Sequence, residues 1–504
     1  MTFSVDEAVR GTVSRAGKVD RRGGLAAAWL GVTAAGVIAM GWAPVSAQAQ
    51  VHSLAQAQSK AAYAPKHRPG SQASSYASYT THDGDTLYEI ADRYLTDSND
   101  WALLSRLNHV PAPRRMPAGI TLLLPVVKLK QDPESARVIA TSGPVEHAFG
   151  NHAYVPVTQA TTLGEGDRIR TGPNGFVTLE LPDGSHVTVA HDGELDIGVL
   201  RRTTLTGVSD RIFNLRHGEV ESQVTHATRK DDRFQIRSPS VVAGVRGTRF
   251  RVAYNGDAQS TNVEVIEGAV GVDPSTPGAT GRQPAAALPG VPLQASAQLV
   301  KASFGNVTRT GGTVGEPVEL LPPPALVKPG RVLDGATVAF DLVPSAQAVG
   351  YRVQIARDAD QLDLIRDLRV GEPHADIGDL PDGTYFVRLF ATDSRGLDGL
   401  PQVYAFERRR FDLSASATQR AGSRDYEFRW LVGRTDVETR FRFVLGTTAD
   451  LLHPIVDRTD LADGQLVVSD LPAGVYYWTI VGEQFDNGRF YETSSPIRSF
   501  TLAH

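Results

Sequence analysis

The stretch THDGDTLYEIADRYL, residues 81–95, places four carboxylates within ten positions: Asp83, Asp85, Glu89 and Asp92. Acids gathered this closely can serve general acid–base chemistry or hold a cation. The residues between them assign a different task. Leu87, Ile90, Ala91, Tyr94 and Leu95 recur at i, i+3, i+4, i+7 and i+8, which predicts an amphipathic helix. Thr86 and Glu89 form a T-x-x-E capping box at its start. Asp85 lies where the helix dipole favours negative charge, Asp92 falls on the polar face, and Asp83 with Gly84 makes the preceding turn. Each acid thus has a structural role without a metal or a substrate proton.

Other catalytic chemistry fares no better. Cysteine is absent, which removes thiol nucleophiles, disulfides and Cys-ligated zinc. The 13 histidines are scattered, with no H-E-x-x-H or H-x-H, and no G-x-S-x-G elbow occurs. NGDAQS and DRYLTDSND lack the Gly and terminal Glu of a calcium loop. A lysozyme-like pair of acids in a cleft finds little support in a strand-rich body. The expectation is a protein that is not an enzyme, with no cofactor and no metal; a cell-wall hydrolase is the minor alternative.

The elements that carry these residues divide the 504-residue chain into several domains. A formal net charge of −5 supplies no basic field for nucleic acid. Arg10, Arg15, Lys18, Arg21 and Arg22 precede an apolar run, Leu25 to Pro44, and the small residues of VSAQAQ. Residues 1–47 therefore read as a signal peptide, with no stable membrane span after cleavage. Residues 48–78, rich in Ala, Gln, Ser and Pro, read as a flexible linker. Residues 79–126 follow the order strand, helix, helix, strand, with Asn99 or Asp100 as N-cap of the second helix. Residues 136–273 alternate in short strands broken by glycine turns, and TNVEVIEGAVGVD reads as a hairpin turning at Glu267–Gly268. Residues 274–330 read as a Pro/Gly-rich connector. Residues 331–413 and 414–504 repeat each other: LPDGTYFVRLFATDSRGLDG from Leu380 matches LPAGVYYWTIVGEQFDNGRF from Leu471. Trp430, Phe340, Tyr476 and Trp478 are expected in their cores, with Tyr477 on the opposite face.

Two stretches carry a further question. In SPSVVAGVRGTRFRVAY (238–254), Gly244 and Gly247 bracket Arg246. That arginine suits either an anion or partner carboxylate, or a buried guanidinium bonded to turn carbonyls, which is the simpler reading. TRKDDRF (228–234) reads as a solvated turn.

Three resemblances follow from these residues. YTTHDGDTLYEIADRYL…W…L…LN…MPAGITLLLPV resembles a LysM domain. The resemblance implies binding of N-acetylglucosamine polymers, chiefly peptidoglycan, in a groove with Gly84, Asp85, Thr86 and Leu87 on one side and Asn108, Val110 and Pro111 on the other. GVRGTRF (244–250) with GDRIRTGPNGFV (166–177) resembles the FecR family. Members of one branch relay iron-uptake signals to extracytoplasmic sigma factors from a cytoplasmic segment. The 22 residues ahead of the apolar run are short for such a segment. The C-terminal pair resembles fibronectin type III-like sandwiches.

The expected fold class is multidomain and mainly β: a small βααβ LysM module, an all-β FecR-like domain and two C-terminal β-sandwiches. The expected function is that of a non-enzymatic periplasmic protein of a diderm bacterium. LysM would tether it to peptidoglycan glycan strands, and the β domains would serve as a scaffold for an envelope protein or a glycan. The alternative is a FecR-type envelope signalling or regulatory protein.

Overall fold

The computed structural model describes residues 75–110, 116–227, 229–275, 293–330, 332–433, 437–486 and 488–503. The expected signal peptide, most of the expected linker and Pro111 lie outside the described residues. Among the described residues no helix is long and apolar enough to cross a membrane.

The first module runs strand Tyr76–Thr80, helix Leu87–Tyr94, a 3-10 turn Ser98–Asp100, helix Trp101–Leu107 and strand Thr121–Pro125. The two strands pair antiparallel, Tyr76 opposite Pro125 and Thr80 opposite Thr121. The first strand begins inside the stretch assigned to the linker, because Ala77 and Tyr79 already alternate into the core. Leu87, Ile90, Ala91, Leu104, Leu122 and Leu124 fill that core. The second helix is entered differently from expectation. Asp97 caps the 3-10 turn by accepting from Asn99 N–H at 2.9 Å, and Asp100 makes no side-chain cap. A two-stranded sheet with two short helices buries little surface, and the module leans on its neighbour: Leu205 of the next domain packs against its core.

That next domain is a closed barrel-like system of two sheets. The long strand Ser209–Gln223 belongs to both. Its first part pairs with Glu194–Thr203 and, in parallel, with Arg233–Arg237; its last part pairs with His186–Val189 and Arg249–Asn255. Val, Leu, Ile and Phe from both sheets meet in one core. Two expectations are corrected here. Ser260–Glu267 and Ala269–Pro274 are not a hairpin: the first pairs with Arg249–Asn255 and Phe304–Arg309, the second with Val241–Val245 and Gln298–Lys301. Gly268, at φ +81°, turns the chain from one sheet into the other. The stretch assigned to a connector contributes strands Gln298–Lys301, Phe304–Arg309 and Val318–Glu319 to this domain. Val300 is fully buried there, so the alternation in QLVK outweighs the surrounding Pro and Gly.

The two C-terminal domains are sandwiches of two sheets each. In the first, Val332–Leu333, Gln402–Arg408, Gly383–Thr392, Gly350–Ala356 and Leu364–Val370 face Val338–Asp341 paired with His374–Gly378. In the second, Ser414–Gln419, Tyr426–Leu431 and Gln465–Val468 face a sheet built on Thr439–Gly446 and Gly474–Asp486. Phe340, Trp430, Tyr476 and Trp478 are buried and Tyr477 is half-buried, as the alternation requires. The repeated Leu-Pro-x-Gly-x-Tyr turn has one geometry in both copies. Tyr385 donates its hydroxyl to Pro381 O at 3.0 Å, and Tyr476 donates to Pro472 O at 2.7 Å. A buried guanidinium held by turn carbonyls does occur, at Arg408, which donates to Leu333 O, Gly335 O and Leu380 O at 2.7–3.3 Å. The two sandwiches touch through Arg409, which reaches Asp486 at 2.9 Å and lies over the Tyr491 ring.

Candidate functional site

Three places in this fold gather polar chemistry. The first is the helix entry read from the sequence. Thr86 Oγ1 accepts from Glu89 N–H at 3.1 Å and Glu89 Oε2 accepts from Thr86 N–H at 3.2 Å, which completes the capping box. Asp85 accepts from His82 N–H at 2.7 Å and from the Tyr79 hydroxyl at 2.8 Å. The His82 hydrogen bond holds the Asp85 carboxyl below its ordinary range, while burial beside that carboxylate pushes the Tyr79 phenol up to about 12. Leu87 is fully buried. Gly84, at φ +85°, has open space where a side chain would stand. On the other side, Asn108 ends the second helix and clasps Leu123, accepting from its N–H at 2.6 Å and donating to its carbonyl at 2.9 Å. Val110 is half-buried and exchanges backbone and hydroxyl bonds with Ser105.

Among the described residues no hydrogen bond joins Gly84–Leu87 directly to Asn108 or Val110. Each set is tied to the returning chain, through Met116 for the first and Leu123 for the second. The side chains of Asp85, Thr86, Leu87 and Asn108 are thus engaged in the module itself. Gly84 is exposed, with its N–H donated to Met116 O at 3.3 Å.

The second place is a cavity of about 230 Å³ beside the GVRGTRF strand. Arg246 is half-buried on its wall, so it is neither the buried turn arginine expected nor a lone charge. The TRKDDRF stretch also lines it, and is no simple solvated turn: Phe234 is buried and Arg233 pairs with Asp210. Arg211, itself buried, joins Glu134 at 3.0 Å and also pairs with Asp183. Burial would raise Asp183, but Arg211 outweighs it and holds the carboxyl low.

The third place was not legible beforehand. The outer face of the barrel strands meets the outer face of the first sandwich, and both faces are charged. Arg352 Nη1 lies 2.8 Å from Glu219 and 2.9 Å from Asp398, while its Nη2 joins Asp367. Arg388 makes a bidentate pair with Glu221, both contacts 2.8 Å. Arg251 Nε stands 2.7 Å from Glu264 Oε2 but out of hydrogen-bond alignment. Glu264 accepts instead from Asp398 N–H at 2.7 Å, and Arg251 Nη2 donates to Asp398 O at 3.0 Å. Phe390 lies among three guanidiniums, 4.4 Å from Arg251, 5.2 Å from Arg388 and 5.9 Å from Arg352.

Burial sets the electrostatics of this seam. It pushes Glu264 up to about 7, helped by the charges of Asp398 and Glu219 and only partly opposed by Arg251. For Glu221, Asp367 and Asp398 burial acts the same way, but facing arginines win and hold all three carboxyls low. Among the described residues no group of three His, Asp or Glu stands where it could hold a metal.

Comparison with known proteins places part of this architecture. Residues 167–271 match the family model described as FecR protein. That match carries strands of both the cavity and the seam. No curated protein matches the chain. Among solved structures, a candidate anti-sigma factor from Parabacteroides distasonis is 18% identical with a TM-score of 0.22, over 30% of this chain and 59% of that one. The chain thus spans under two thirds of that protein. The fibronectin(III)-like modules of Clostridium thermocellum CbhA are 12% identical with a TM-score of 0.19, over 34% of this chain and 90% of theirs. A two-domain fibronectin type III segment of chicken tenascin is 14% identical with a TM-score of 0.18, over 36% of this chain and 97% of that one.

Proposed function

We propose that this chain is a non-enzymatic regulatory protein of the bacterial envelope, which acts by binding a partner protein through its FecR-type domain. The observation that carries the reading is the FecR match at residues 167–271. The seam supports it physically. A β-domain joined to a sandwich by paired, buried charges is positioned as one body, so a partner seated on the barrel bears on the sandwich as well. Export to the periplasm of a diderm bacterium belongs to the same proposal, motivated by the basic and apolar pattern of residues 1–47. Transcript profiling of a strain lacking the chain tests it. A discrete gene set that shifts and is restored by the full chain supports regulation. A profile identical to the parent's, under growth and envelope stress alike, overturns it.

A second reading has its own observation. Residues 76–125 have the strand–helix–helix–strand order of the LysM resemblance, with an open glycine turn at the helix entry. On this reading the module tethers the protein to peptidoglycan, with Gly84, Asp85, Thr86, Leu87, Asn108, Val110 and Pro111 forming or supporting the glycan groove. Co-sedimentation of the full chain with purified sacculi, beside a chain lacking residues 79–125, tests it. Pelleting that is lost with the deletion supports the tether, and absence of pelleting removes it. Muropeptide release in the same tubes would instead reveal a hydrolase.

A further inference from the structure

The arginines lining the cavity beside the GVRGTRF strand are not all neutralised. Arg211 is committed to Glu134 and Asp183, and Arg233 to Asp210. Arg202 and Arg229 differ. Arg202 Nε donates to Gly207 O at 3.3 Å, and Arg229 Nη1 donates to the same oxygen at 3.1 Å. Among the described residues neither guanidinium meets a carboxylate. Asp232, also on the wall, accepts from the backbone N–H groups of Ser209 and Arg229, both at 3.0 Å, and so closes its own turn. Two full positive charges therefore share one neutral acceptor at a cavity, with most of their donors unspent.

The backbone is shaped to hold them there. Gly207 sits at φ +64°, and a Cβ on it would stand 3.0 Å from Arg229 Nη2. The positive φ favours glycine there, and the missing side chain leaves the guanidinium room against the turn. Gly247, from the GVRGTRF signature, sits at φ +70°, where a Cβ would come 2.9 Å from His226 Cα. It holds His226 on the same wall. Phe234 and Val245 supply apolar lining. Like charges converge at a cost unless an anion offsets it, and two planar forks beside an apolar surface match the oxygens of a carboxylate or phosphate.

We propose that this cavity binds a small ligand bearing an oxyanion, a carboxylate or a phosphate, through Arg202 and Arg229. The inference goes beyond the regulatory reading and does not depend on it. Calorimetric titration of the full chain with inorganic phosphate, and separately with malonate, tests it at an ionic strength fixed with sodium chloride. Saturable binding is expected, with affinity falling at least about tenfold in the Arg202→Gln/Arg229→Gln variant. Both residues are exposed, so the melting temperature should hold; should the pair melt early, Arg202→Gln and Arg229→Gln are read singly. Arg309→Gln, on the exposed end of another strand, should bind as the parent does. Binding of one probe alone assigns the oxyanion, and binding of both assigns the shared chemistry. No saturable binding of either probe, or binding that the arginine variants retain, overturns the proposal.

Discussion

Arg352 and Glu219 belong to different domains, yet Nη1 of the arginine lies 2.8 and 2.9 Å from the two carboxylate oxygens of the glutamate. Both side chains are shielded from solvent, and Arg352 also contacts Asp367 and Asp398, the latter shared with Arg369. A buried pair of this kind stabilises little relative to a well-packed apolar replacement. Its removal by halves is another matter.

Arg352→Met leaves the buried Asp367 without its paired arginine, while Arg369 stays 2.7 Å from Asp398 and 3.8 Å from Glu219. The expected loss is about 3–5 kcal/mol. Urea unfolding should show the barrel and the first sandwich melting earlier and no longer together. A loss under 1 kcal/mol would mean that water enters the seam and screens it.

Glu264 sets a pH dependence of opposite sign from its neighbours. Its folded pKa is raised, to about 7 against an ordinary 4.5. The folded state therefore holds a proton that the unfolded state has released between those values, and stability falls as pH rises from about 4.5 to about 7. The effect is on the order of 2–4 kcal/mol. Glu264→Gln mimics the protonated form and should flatten this slope in calorimetric melts at pH 5, 6, 7 and 8. Glu221, Asp367 and Asp398 have lowered pKa values, so their contribution is lost instead as pH falls below the ordinary carboxylate range.

Thr86→Ala removes half of the capping box. It should cost the first module about 1 kcal/mol and leave the sandwiches unchanged. Amide exchange in helix Leu87–Tyr94, faster by roughly fivefold, is the direct readout.

Tyr385→Phe and Tyr476→Phe each delete one hydroxyl bonded to a proline carbonyl. Each should cost its own sandwich about 1 kcal/mol. The corners lie in separate cores, so in the double variant the losses should add, which melts of the single and double variants will show.

The sequence patterns that proved legible are those where one residue type has one local job. The capping box at Thr86 and Glu89, the helix stripe through Leu87 and Ile90, and the repeated turns at Leu380 and Leu471 all read directly, because each is satisfied within a few residues of chain. The seam did not read. Arg249 and Arg251 alternate with Phe250 and Val252, and Arg352 with Tyr351 and Val353. Such alternation describes a strand with one face in the core and one in water. Here the polar faces meet each other, and contacts between residues over a hundred positions apart leave no local trace. One signal was present: the cations on these faces are Arg rather than Lys, the choice suited to buried pairing. The strands at 298–319 were hidden by the Pro and Gly around them, and the corner at Gly268 by its likeness to a hairpin turn. At the candidate sites, the sequence singled out Arg246 but not Arg202 or Arg229. Those two come together only through the turn at Gly207.

The strand by which the chain enters the first sandwich, Val332–Leu333, lies parallel to the strand by which it leaves, Gln402–Arg408. Opposite pulls on the two ends of a domain built this way slide its terminal strands past each other, loading their hydrogen bonds together rather than peeling them one by one. Arg408 adds its bonds to the carbonyls of Leu333 and Gly335 to the same load. Forced unfolding is governed by the unfolding barrier rather than by equilibrium stability. A pull along the chain would therefore meet this domain in shear at the Val332–Leu333 pairing rather than by peeling from one end.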